Sequence, residues 1–185
     1  MSKGLFSVVA AGALAFVVGC SAAPSTPSAP ISTEAHAQPM TQGELCDALT
    51  TFFGDRLRVV DLQAQPLLAQ ETPLSPGGIC TIVQGQERVG RWESRLAPNQ
   101  LDPTEGVSRF KRMAEIGQPV WVRDDRADGF DIRFATRIDE WNARLFVWPS
   151  GIRTTDGILD MDEKNRYQAA EFLVELTRKL AAMPR

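Results

Sequence analysis

An apolar run of 15 residues, Gly4 to Val18, follows a single positive charge at Lys3. It is too short to span a bilayer, which takes about 20 apolar residues, and it has the length of a secretory h-region. The next stretch, Ser21 to Pro39, reads SAAPSTPSAPISTEAHAQP, with Ile31 its one branched aliphatic residue. Such a segment buries too little apolar surface to offset its conformational entropy, so an extended tether is expected. Its Ser/Thr/Pro content also resembles that of O-glycosylated stalks. The expected organisation is therefore a signal peptide over 1–19, a tether over 20–39 and one globular domain over 40–185. The domain is long enough to bury a real core.

Between h-region and tether stands Val17-Val18-Gly19-Cys20. This resembles the lipobox of bacterial lipoproteins. The resemblance implies cleavage before Cys20, a diacylglycerol on its thiol and acylation of the new amine. It also implies attachment to the cell membrane on the extracytoplasmic side. Two or three acyl chains suffice for stable anchoring, at roughly 0.8 kcal/mol per buried methylene.

Composition excludes several classes. The hydrophobic and charged fractions, 43% and 23%, are those of an ordinary soluble domain. The net charge of −3 becomes −4 once Lys3 is removed with the signal peptide, which argues against a nucleic-acid partner. The one histidine, His36, falls in the tether. A Ser-His-Asp or Cys-His arrangement, or a His-rich zinc site, therefore cannot be built within the domain. No cofactor or metal is expected.

Thr41 and Glu44 form a capping box with Met40 placed to staple onto Leu45, and Leu45, Leu49, Phe52, Phe53 and Leu57 recur on a helical face. A Gln/Pro-rich loop is expected over 63–78, then strands over 79–84 and 89–96 with a turn near Gly85. Asp102, Pro103 and Glu105 predict a second helix start, with Val107, Phe110, Met113 and Ala114 as its apolar face. Gly117 and Pro119 would end that helix. A three-strand meander follows in PVWVRDD, GFDIRFATRI and ARLFVWP, where Ile132, Phe134, Thr136 and Ile138 alternate with Arg133, Ala135 and Arg137. Asp160 or Asp162 opens the last helix, with Ala169, Leu173, Leu176 and Leu180 in a stripe and Phe172 beside it. The expectation is an α+β fold in the order α-β-β-α-β-β-β-α, an antiparallel sheet of about five strands covered by two to three helices.

With Cys20 used for lipid, Cys46 and Cys80 allow one intramolecular pairing in a compartment where disulfides persist. A reactive thiol pair and metal ligation are the alternatives; the chain has no CxxC spacing to favour them. The lipobox, the tether, one helix-borne and one strand-borne cysteine resemble an uncharacterised family of small actinobacterial lipoproteins. Members typically open the domain with Asp-Pro-Cys and carry Cys-x-Trp on the strand. Here Glu44-Leu45-Cys46-Asp47 and Cys80-Thr81-Ile82 depart from both.

Three groups are candidates for function. Trp92, Trp121, Trp141 and Trp148 form either packing or an aromatic-lined ligand groove. Arg133, Arg137 and Arg144 share a wet sheet face with Glu93 or Asp131, as a charge ladder or a docking surface. RDDRADGFD lacks EF-hand spacing, and Ala127-Asp128-Gly129 within it reads as a hairpin turn. The acids of TTDGILDMDE read as a turn at Asp156-Gly157 and a helix start. The functional expectation is a non-catalytic, lipid-anchored protein that binds an envelope protein partner or a small apolar or lipid ligand. The contrasting class is an envelope hydrolase using Asp124, Asp128 and Asp131.

Overall fold

The computed structural model describes residues 39–104, 108–114 and 116–183. The expected signal peptide, Cys20, His36 and nearly all of the tether lie outside the described residues.

Thr41 opens α1 (Gln42–Thr51) through the expected capping box, its hydroxyl accepting from the Glu44 amide while the Glu44 carboxylate accepts from Thr41. A π-helical turn, Phe52–Arg56, continues it. The extra residue in that turn lets the consecutive Phe52 and Phe53 both reach the core. Asp162, rather than Asp160, caps α2 (Glu163–Ala181) by accepting from the Asn165 amide at 2.8 Å. The stripe read from the sequence, Ala169, Leu173, Leu176 and Leu180 with Phe172, is buried throughout.

Between the helices run β1 (Leu62–Pro66), β2 (Gly77–Gln84), β3 (Glu87–Leu96), β4 (Lys111–Met113), β5 (Val120–Asp124), β6 (Ile132–Ile138) and β7 (Trp141–Val147). They form one antiparallel sheet in the order β1-β2-β3-β7-β6-β5-β4. A separate hairpin pairs β8 (Arg153–Thr154) with β9 (Gly157–Ile158); its turn is Thr155-Asp156, one residue before the expected Asp156-Gly157, and Gly157 opens β9 at a φ of 133°. The fold is α+β, with a sheet of seven strands instead of about five. Among the described residues there are two α-helices, and the element order differs from that expected.

The second helix, expected to open at Asp102, is absent among the described residues of that segment. Asp102 accepts from the Thr104 amide and hydroxyl, as a cap would. Yet Arg109 adopts a positive φ of 70° and Lys111–Met113 pair with Val120–Val122 as an edge strand. The Pro103 carbonyl, which a helix would need as an acceptor, is held by Nε and Nη2 of Arg144, 41 positions along the chain. Glycine at 106 and the β-branched Val107 also weaken a helix there; those two residues lie outside the described ones. The segment 63–78 is likewise not all loop, since β1 occupies its start. β1 is a polar edge strand ending in proline, the place where a sheet tolerates both.

Both helices cover one face of the sheet. α1 packs on β1 and β2, and α2 packs on β6 and β7. Phe172 joins the two halves, stacking on Phe52 with ring centres 4.3 Å apart and meeting Trp92 edge-on at 6.2 Å. Gly90 in β3 lies directly under the Phe53 ring, so that a Cβ there would overlap it.

Cys46 of α1 is bonded to Cys80 of β2. The bridge closes a loop with a sequence separation of 34, worth roughly 4 kcal/mol on the chain-entropy account. Cys46→Ser is expected to lower stability by a few kcal/mol. Thermal unfolding checks this: the midpoints should differ under oxidising conditions and converge in strong reductant.

Candidate functional site

The four tryptophans divide between the two sides of the sheet. Trp92 is fully buried under the helices. Trp141, also buried, lines a small cavity of about 120 Å3 with Pro39, Leu74, Leu96, Leu180 and Met183. Trp121 stands in register with Ala135, itself paired with Arg144, and so belongs to the face without helices. Trp148, just past β7, stacks on Phe146 of that same open face. The four therefore do not line one groove.

The open face carries a row of two stacked rings flanked by two cations. Arg88 lies over Trp148, its guanidinium carbon 5.5 Å from the ring centre. Trp148 and Phe146 are stacked at 5.9 Å with planes 9° apart. Arg133 lies over Phe146 at 5.5 Å. Each exposed cation–ring contact contributes about 0.5–1 kcal/mol, so the row is a preformed surface rather than four independent side chains. Arg88 reaches it through a bulge: the register passes from Ile82↔Gly90 to Val83↔Arg88, leaving Val89 unpaired. Without the extra residue, strict alternation from Gly90 and Trp92 would turn Arg88 toward the helices. Strict alternation thus misses Arg88, while Arg91, Glu93 and Arg95 keep it on the open face opposite Phe146, Arg144 and Asn142.

Further along the same strand pair, residues 97–104 cross the open face and leave a cleft of about 370 Å3. Arg95, Arg144, Asn142 and Gln100 line it, with Ile79 and Glu93. The crossing segment is fixed by sheet side chains that donate to its carbonyls. Arg137 Nη1 donates to Ala97 and Gln100 at 2.9 and 2.6 Å, and Asn142 donates to Gln100 at 3.1 Å. Arg144 secures Pro103 at 2.8–3.0 Å. Arg144 stands directly opposite Glu93 in register, yet Glu93 pairs with Arg91 at 2.7 Å instead. The expected cross-strand ladder is thus replaced by pairs within single strands, such as Arg133 with the buried Asp131 at 2.9 Å.

The carboxylates of RDDRADGFD are committed to arginines. Asp124 binds Arg126 through two oxygens at 3.0 and 2.9 Å and Arg166 of α2 at 2.7 Å. Arg123 lies 2.5 Å from the buried Asp125, and Asp128 faces Arg109 at 3.5 Å. Residues 126–128 form one 3₁₀ turn closed by Gly129 at φ 79°, the hairpin turn read from the sequence. Hydrogen bonds from Arg126 hold the Asp124 carboxyl below the usual carboxylate range, partial burial opposing them and Arg166 adding to them. A general acid needs the opposite shift. Among the described residues no group of three or more His, Cys, Asp or Glu side chains could hold a metal ion. None of the described helices is long and apolar enough to cross a membrane.

No protein-family model, curated protein or solved structure matches the chain.

Because the folded-state pKa of Asp124 is depressed, the stability it contributes is present above the ordinary carboxylate range and is lost as pH falls through the depressed value. Asp124→Asn is expected to destabilise by about 1 kcal/mol at neutral pH, the scale of a partly exposed ion-pair network. The difference should shrink below about pH 4. Urea melts at a series of pH values check the sign.

Proposed function

We propose that the chain is a lipid-anchored extracytoplasmic protein, non-catalytic, that docks a protein partner of the envelope on the open face of its sheet. The observation that carries the reading is the row Arg88, Trp148, Phe146 and Arg133, which no helix covers. Arginine and tryptophan are the side chains over-represented where interfaces concentrate their binding energy, and stacked rings are already ordered before association. Trp121 adds a further aromatic side chain to the same face.

The contrasting ligand, a lipid or small apolar molecule, has less to support it. The apolar cavity beside Trp141 holds about 120 Å3, below the roughly 300–1,000 Å3 of ordinary small-molecule pockets. A hydrolase built on Asp124, Asp128 and Asp131 also lacks support, since arginines bind each of the three.

Anchoring and location rest on Val17-Val18-Gly19-Cys20 after the short h-region. The layout of tether, helix cysteine and strand cysteine supports kinship with the small actinobacterial lipoproteins. Cys20→Ala should leave precursor-sized protein and abolish the acyl-dependent share of the membrane fraction; continued cleavage before residue 20 would refute the lipobox. Docking is tested by a photo-crosslinking amino acid at Trp148, compared with one at Arg178 on the exposed side of α2. A discrete polypeptide adduct from position 148 alone is expected in cells. Equal adducts at both positions, or none at 148, would refute the open face as the docking surface.

A further inference from the structure

Resting on that reading, the charge around the cleft assigns the chemistry of one contact. We infer that the cleft between residues 97–104 and the open face accepts a carboxylate side chain from an acidic segment of the docked protein. Two guanidinium groups, Arg95 and Arg144, line the cleft, Arg137 lies beside them on the carbonyls of the crossing segment, and none of the three forms an ion pair with a carboxylate among the described residues. Arg137 and Arg144 are bound to backbone carbonyls, which satisfy hydrogen bonds without neutralising the positive charge. Arg95 is exposed and pairs with no described carboxylate. The one acid lining the cleft, Glu93, is neutralised by Arg91. At the rim, Asp102 is engaged by the amide and hydroxyl of Thr104 and feels Arg144 only weakly. A chain of net charge −3 thus concentrates positive potential at one concave site, the condition for recruiting an anion.

Asn142 and Gln100 add amide groups beside the guanidiniums, and Ile79 supplies an apolar wall for a side-chain stem. The cleft is open to solvent, suiting a protruding side chain better than an enclosed free metabolite. It also continues the ring platform. Phe146 faces Arg91, Arg144 faces Glu93 and Asn142 faces Arg95 as successive cross-strand pairs on one face. Phe146 and Asn142 are four residues apart on β7, roughly 13 Å at strand rise. A partner that seats an apolar group on Phe146 and Trp148 is thereby in reach of the cleft with an acidic residue. Guanidinium forks match carboxylates in geometry as well as charge.

The test is calorimetric titration of the detergent-solubilised full chain with acetylated, amidated hexaglutamate. Saturable binding that weakens with salt is expected. Arg95→Gln should weaken it at least about fivefold, as loss of one charge-assisted contact predicts, while Arg178→Gln on the exposed side of α2 should leave it unchanged. Equal affinity for wild type and Arg95→Gln, or equal binding of hexaglutamine, would overturn the inference. So would Arg95-dependent binding of inorganic phosphate or of phosphatidylglycerol vesicles in preference to the peptide, which would reassign the cleft to phosphate. A crosslinked partner at Trp148 together with no hexaglutamate binding would overturn this inference alone and leave the docking face standing.

Discussion

The position of Phe172 decides which side of the sheet is core. Its ring is held against Phe52 at the end of α1 and against Trp92 in β3, so one side chain couples both helices to the central strands. Large aromatic side chains bury on the order of 150–250 Å2 each, and two of them packed on Phe172 leave little freedom for either helix to move to the opposite face. With both helices committed to one side, the other side is left to arginine, glutamine and rings. The open face is a consequence of where the aromatics packed.

Arginine performs different tasks on the two sides of this division. On the helix side, Arg166 links α2 to Asp124 and also donates to the Met161 carbonyl, tying the long helix to the end of β5. On the open side, Arg137 and Arg144 bind carbonyls of a crossing segment and order it without a carboxylate. A carboxylate in their place would have fixed the segment equally well and cancelled the field. The choice of neutral acceptors is what separates a charge-bearing cleft from an ordinary ion-paired surface.

Elements set by their own residues were legible in the sequence. The Thr41 and Glu44 box, the Asp162 cap, the alternation of Ile132, Phe134 and Thr136, and the Gly129 and Gly157 turns all follow from local chemistry. What escaped is set by partners far along the chain. β1 and β4 are strands because β2 and β5 offer them an edge, and neither has alternation of its own. The local helix signal at Asp102-Pro103 was overridden by Arg144 and by pairing at the sheet edge. In the candidate site, the outward arginines of β3 were readable from period two, whereas Arg88 was hidden by the bulge at Val89. The tryptophans were recognisable as a group by type alone, and register is what sorts them into core and surface.

If the domain is held by its N-terminus, as proposed, the bridge between Cys46 and Cys80 has a mechanical meaning. Tension arriving through Pro39 and Met40 enters α1, an outer helix that would peel from the sheet one turn at a time. Cys46 lies in the second turn of that helix, and its bond leads into β2, which is flanked by β1 and β3 inside the sheet. The load therefore leaves the helix almost at once and passes covalently into β2, where antiparallel hydrogen bonds on both sides resist it together. The second half of α1 and the π-helical turn after it lie behind the bridge, out of the line of force. A protein tethered to one surface while gripping a partner on its open face would carry that load without loosening the packing beneath the face.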